Sequence, residues 1–397
     1  MESVYYIAAV LAVTALAASM LSVKLGVSVA VIEICLGVVV GNALHLSAPQ
    51  WLVFLASFGS VVLTFLAGAE VDPDEFRATW KASLLIGTAS FAVPFAGVLL
   101  LCRYGFDWTW KAAEIGGTAL STTSLAVVYA VLVETGLNAT TLGKLIMSAT
   151  FVTDLATVLA LSVLFIRPSG WLLPFAATSV LLIVAMPRLE GWFFTRFGNR
   201  VIEPEIKGAL AALLVLMWLG EKAHSHAVLP AFLLGLALSR TFARHRATQQ
   251  RFQVVAFALL TPFFFLRSGM NVSLPLVIAN LGLLGALLAV KLALKSLAVH
   301  PLARRHAHPH APFTTLLMST GLTFGTISAT YGYTTGIVTK AQFSVLVTVV
   351  VLTAVLPTAI AQRCFSPDRL LPDRTLPAEC ARTGVAASAP EQNGRQR

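Results

Sequence analysis

The stretch 142-LGKLIMSATFVTDLATVLALSVLF-165 decides how the rest of the chain is read. At about 1.5 Å per residue, a helix of this length spans the roughly 30 Å hydrocarbon core of a bilayer. Beyond Lys144 in its first turn, Asp154 is the segment's single charged side chain. A charge at the bilayer centre costs about 2.5–3.5 kcal/mol on insertion scales, so such residues face a bundle interior or a water-filled cavity and bind or relay something. The segment therefore reads as a membrane span, and Asp154 as the first functional candidate.

The composition extends this reading to the whole chain. The 397 residues are 57% hydrophobic and 12% charged, against about 25% charged in a typical soluble domain. Thirteen apolar windows of spanning length fall between residues 4 and 362, which predicts an all-α polytopic membrane protein of about 13 transmembrane helices. An odd count puts the termini on opposite sides. Of the 28 Lys and Arg, 20 fall on the side of the C-terminus and five on the other, so the N-terminus is expected outside and the C-terminus in the cytoplasm. The expected location is a bacterial inner (cell) membrane. Because the net charge of +10 lies along loops on one side, it gives no reason to expect nucleic acid as a partner. Cys35, Cys102, Cys364 and Cys380 have no metal or redox spacing. Met1–Ser22 lacks a basic start and a cleavage site and reads as the first span. Residues 364–397, with Pro367, Pro372, Pro377 and Pro390, read as a disordered cytoplasmic tail. No phosphate loop, nucleophile elbow, HExxH or dinucleotide fingerprint occurs, so neither an enzyme nor a cofactor is expected.

Two spans carry interruptions. The run 116-GGTALSTTSLAV-127 places Gly116, Gly117, Ser121, Thr122, Thr123 and Ser124 at mid-membrane. The run 317-LMSTGLTFGTISATYG-332 does the same with Ser319, Thr320, Gly321, Thr323, Gly325, Thr326 and Ser328. Glycine weakens a helix, and hydroxyls satisfy freed backbone groups, so the pair suggests discontinuous helices at a midplane site. Small residues also serve plain helix packing. The two spans are an odd number of spans apart and run in opposite directions, as an inverted repeat requires.

The candidate site residues follow. Thr153 precedes Asp154, and its hydroxyl can coordinate a small cation or hydrogen-bond the carboxylate. Lys291 and Lys295, four residues apart, share one helical face. Lys291 lies deep enough to pair with an acid or with the carbonyl ends of a broken helix. Lys295 is near enough to the cytoplasmic end for its ammonium to snorkel to the interface. Arg267 is equally an interfacial anchor or a gate. Glu33 is the other acid well inside a span, with a paired structural role or a cavity role open to it. His224 and His226 flank an outer loop, where histidines are usually inert but can sense pH.

These residues match a known pattern. The strings 57-SFGSVVLTFLAGAEVDPDEF-76, 142-LGKLIMSATFVTDLATVLAL-161, 228-VLPAFLLGLALS-239 and 262-PFFFLRSGMNV-272, together with Lys291, resemble in order and spacing the monovalent cation:proton antiporter-2 family over residues 1–363. The resemblance implies a sodium/proton antiporter fold in which two discontinuous helices cross. It implies a panel that forms a homodimer (about 1–69 and 206–270), an ion-transport core (about 81–166 and 276–362) and a linker helix at 171–187. It also implies exchange of H⁺ for Na⁺ or K⁺, with the monovalent cation at Asp154. Thr153, Thr122, Thr123 and Ser124 would add oxygen ligands, Lys291 would balance charge, and Arg267, Glu33 and Lys295 would be gating or auxiliary residues. Family members commonly carry Asp, Asn or Gln where this chain has Thr153, so this site has one carboxylate. A gated cation channel or sensor on the same scaffold is the alternative reading.

Overall fold

Inside lipid a backbone N–H or C=O finds no water, so a spanning chain satisfies these groups within helices. The computed structural model describes residues 4–44, 48–71, 73–138, 140–165, 169–197, 203–223 and 225–365, and helix is the regular structure these residues adopt. Along the chain these are α1 (Val4–Leu25), α2 (Val29–Ala43), α3 (Gln50–Ala69), α4 (Pro73–Leu100), α5 (Trp110–Ser121), α6 (Leu125–Glu134), α7 (Thr141–Leu164), α8 (Leu172–Phe197) and α9 (Pro204–Lys222). They continue with α10 (Val228–Arg244), α11 (Arg246–Val255), α12 (Thr261–Met270), α13 (Leu274–Ala279), α14 (Leu281–His306), α15 (Ala311–Met318), α16 (Thr323–Thr334) and α17 (Lys340–Cys364). A π-helical turn, Ala256–Leu260, joins α11 to α12 without a break.

Nine helical stretches among the described residues are each long and apolar enough to cross a membrane, counting Trp110–Val133 and Arg246–Met270 as single stretches. Adding α2, α9, α10 and the α15–α16 pair gives thirteen traverses, as the hydropathy pattern predicts. The α8 helix runs to Phe197, ten residues beyond the expected linker end. The expected tail lies outside the described residues from position 366 onward, as does Cys380.

Two sets of helices pack side by side. In the first, α3 lies along α10 and α12, α2 along α12, α1 on α2, and α8 and α9 beside α10. In the second, α4 lies along α7, α5 and α14, while α14, α15, α16, α5 and α17 close around the two interruptions. Glycine sets the closest approaches in the first set. A Cβ on Gly41 would lie 2.5 Å from the Met270 carbonyl oxygen, and one on Gly59 would lie 2.6 Å from that of Leu260. Gly68 of α3 and Gly235 of α10 press against the partner helix's carbonyls at Phe232 and Phe65 more tightly still. Small residues let backbones approach in this way, which is how helices associate where lipid removes the hydrophobic drive.

Leucine at Gly235 must force the α3–α10 seam apart, and overpacking of this kind costs about 1–3 kcal/mol. We expect Gly235→Leu to lower the melting temperature of the detergent-solubilised protein by about 3–8 °C. Gly285→Leu, at a position that faces open space, should leave it unchanged; equal melting temperatures for the two variants would contradict the tight seam.

Candidate ion-binding site

Both interruptions fall on hydroxyl residues. The first traverse breaks at Thr122–Ser124, where Thr122 and Ser124 take extended backbone angles between α5 and α6. Gly116 and Gly117 stay within α5, where the missing side chain admits Trp108 and Phe95 and does not itself break the helix. The second breaks between Met318 and Thr323, over Ser319, Thr320, Gly321 and Leu322. The two breaks touch. Thr123 Oγ1 donates to the carbonyl of Met318, the last residue of α15, at 3.0 Å, and the Ser124 N–H points to Thr320 Oγ1 at 3.5 Å. Side chains thus take up part of the hydrogen bonding that the helices give up. Gly321 is at the closest point, where a Cβ would lie 2.5 Å from Lys291 Nζ and 3.3 Å from Thr122 Oγ1.

Two buried ammonium groups serve this crossing. Lys291 Nζ donates to Thr353 Oγ1 of α17 at 2.8 Å. Lys295 Nζ donates to Ser90 Oγ of α4 at 2.8 Å and to Thr123 Oγ1 at 3.0 Å. Lys295 does not snorkel: it is fully buried, because hydroxyls of α4 and of the first break lie within reach of its ammonium. A positive charge here complements the partial negative charge at the C-terminal ends of α5 and α15.

Asp154 lies in the middle of α7, buried at 2% exposure. Its Oδ1 has no hydrogen-bond partner among the described residues, nor do the buried hydroxyls of Thr122 and Ser124. Thr153, fully buried, turns its hydroxyl to the Thr150 carbonyl at 2.6 Å. Among the described residues the charged groups that act on Asp154 electrostatically are Lys295 and Glu70, and none of these residues forms an ion pair with it within 4.0 Å. Lys291, expected to pair with an acid or with the carbonyl ends of a broken helix, faces the second break. Buried polar atoms are paired in almost all proteins, so several unpaired oxygens beside a helix crossing call for an explanation such as an ion.

A cavity of about 740 Å³ opens from the α9–α10 turn toward Leu161 of α7 and Ile327 of α16. Arg267 lies on its wall, half-buried, with Nε unpaired among the described residues. Ser268 of α12 meets Thr330 of α16 at 3.2 Å, tying the two helix sets together beside the cavity. Glu33 is buried on α2, and its Oε2 is unpaired among the described residues. His224 lies outside the described residues. His226 is open to the cavity and packs its ring edge-on against Tyr331 at 4.1 Å. Sequence reasoning assigned no site role to Ser90, Thr320 or Thr353, since a hydroxyl in an apolar helix carries no periodic signal. Glu70, within 57–76, carries no such signal either.

Crossed discontinuous helices around a buried carboxylate define an ion-handling transporter rather than an enzyme. Residues 9–363 match the sodium/hydrogen exchanger, transmembrane, family, and the chain belongs to it. It is 30% identical over 264 residues to the probable Na⁺/H⁺ antiporter 3 of Methanocaldococcus jannaschii, covering 63% of this chain and 67% of that one. It is 26% identical over 282 residues to the Na⁺/H⁺-K⁺ antiporter GerN of Bacillus cereus, covering 68% and 72%. Among solved structures, the sodium proton antiporter MjNhaP1 of M. jannaschii superposes with a TM-score of 0.68 at 13% identity, over 89% of this chain and 95% of that one. That likeness establishes the fold.

The protein packed around His226 holds its imidazole below the usual histidine range, although the ring's opening to a cavity wide enough for water limits how far. A histidine with a depressed folded-state value costs stability as pH falls below about 6.5, where the unfolded chain takes up a proton more readily, and is neutral above. We therefore expect His226→Gln to leave the pH profile of transport unchanged between pH 7 and 9; a displaced midpoint in that range would give His226 a sensing role.

Proposed function

We propose that this protein exchanges H⁺ for Na⁺ or K⁺ across the membrane, with Asp154 alternately protonated and cation-bound. The observation that carries the reading is the unpaired, buried Asp154 carboxylate oxygen on the helix packed beside the crossing, whose own Thr122 and Ser124 hydroxyls are unpaired. Hard oxygen ligands suit an alkali cation, and a carboxylate is the group that holds either a proton or that cation. Thr122, Thr123, Ser124 and Thr153 supply oxygens to it. Lys295 balances the carboxylate and Lys291 the second break. With Thr153 beside it, Asp154 is the one carboxylate of the site and carries one proton per cation.

In this reading the ion-transport core comprises about residues 81–166 and 276–362, and the panel about 1–69 and 206–270, joined by α8. The separate packing of the two helix sets and the glycine seams of the first support that division. The panel forms a homodimer, and the protein sits in a bacterial cell membrane with its N-terminus outside. The cavity beneath His226 then opens outward, and the conformation faces the outside.

Purified protein in proteoliposomes should release protons when Na⁺ or K⁺ is added, and a membrane potential alone should drive no cation uptake. Asp154→Asn should fold but show no exchange above liposome background, because the amide neither releases a proton nor balances a cation, while Asp154→Glu keeps part of the activity. Exchange by Asp154→Asn at matched reconstitution would refute the assignment. For orientation, Arg246→Cys at the start of α11 should react with an impermeant maleimide in everted vesicles and not in intact cells. Labelling from outside would invert the topology.

A further inference from the structure

Glu70 directly follows α3. The C-terminal end of a helix carries a partial negative charge, so a carboxylate there weakens the helix and is not explained by capping. Gln253, near the end of α11, donates from Nε2 to Glu70 Oε1 at 3.0 Å, which fixes the carboxylate at the α3–α4 turn. This turn lies at the end of α3 opposite the large cavity, whose α3 lining comes from Phe54 to Val61.

A small void begins at Glu70 and is lined by Phe76, Leu125, Ser148 and Phe151 among others. Leu125 is the first residue of α6, next to Ser124 of the break. Met147 and Phe151, which both line the void, and Asp154 follow one another at four- and three-residue steps on α7, so one face of that helix leads from the void toward Asp154, about 10 Å along the axis. The void is small, about 20 Å³, and the rings of Phe76 and Phe151 flank it. Phe151 meets Phe76 edge-on at 5.5 Å and stacks on Phe232 of α10 at 5.8 Å. Among the described residues Glu70 is moreover the acidic group that acts on Asp154 electrostatically.

We propose that Glu70, positioned by Gln253, is the acidic residue that gathers the monovalent cation at the α3–α4 end of the route and passes it along α7 to Asp154. The proposal rests on Asp154 being the ion site. A fixed negative charge in a narrow, partly dry passage raises the local concentration of cations. At about 10 Å and an intermediate dielectric, removing it should weaken cation capture from that side about fivefold. The wide cavity opens at the other end of α3, so cation arriving through it does not pass Glu70, and the expected effect is one-sided.

The test measures KM for Na⁺ and for K⁺ in uniformly oriented proteoliposomes, with the cation supplied at one face and then at the other. Glu70→Gln should raise KM about fivefold when the cation enters at the α3–α4 face, with maximal rate and the KM of the opposite face held near wild type. Glu70→Asp should recover most of the affinity, and Gln253→Leu should raise KM at the same face only. Should Glu70→Gln not be recovered as folded protein, the last two variants give the same one-sided comparison. Unchanged KM at both faces, or an equal rise at both, overturns the role of Glu70. If Asp154→Asn is inactive in the same series, that result leaves the Asp154 reading intact; an active Asp154→Asn sinks that reading and this one together.

Discussion

Two helices that stop halfway through a membrane leave backbone groups without partners where lipid offers none. Everything near the centre of this molecule answers that constraint. Thr123 takes up the Met318 carbonyl, Thr320 faces the Ser124 N–H, and two lysines lie beside the carbonyl-rich ends of the half-helices. Placing the breaks against each other makes one crossing serve both, and the remaining helices enclose it.

Enclosure brings its own demand. A buried ammonium loses its water, and a protein tolerates it only with hydrogen-bond acceptors and compensating charge nearby. Lys291 has Thr353, and Lys295 has Ser90 and Thr123. The hydroxyls come from α4, α17 and the first break, so the two lysines of α14 pull three other elements into register. Asp154 completes the arrangement from α7 without an ion pair or a hydrogen bond to its Oδ1 among the described residues.

Much of this was legible in the sequence because the strongest signals are energetic exceptions. Asp154 stands out as a charge where charge is costly, and the hydroxyl runs at 121–124 and 319–323 stand out as poor helix formers in apolar spans. Thirteen traverses follow from hydropathy alone. The assignment of the two lysines did not follow. Distance from a helix end suggested that Lys295 reaches the interface, but only the neighbouring helices determine that it turns inward. Both breaks fall within the expected runs, but not every residue of those runs takes part: Gly116 and Gly117 look like helix breakers in one dimension, while in three they are contact points for Trp108 and Phe95. Glu70 was invisible as a site residue because its partner lies 183 residues away.

The glycine seams bear on how the molecule can move. Where Gly68 and Gly235 meet, and where Gly37, Gly41 and Gly269 meet, backbone rests in a notch of the opposite helix. Moving either helix by one turn would bring a side chain to the place now held by hydrogen. The α3–α10 and α2–α12 pairs are therefore keyed shafts, free to turn together and barred from sliding lengthwise. Any axial travel must run along faces without such notches, and the Ser268–Thr330 contact between α12 and α16, a pair of hydroxyls that can part and pair again, lies on one of them.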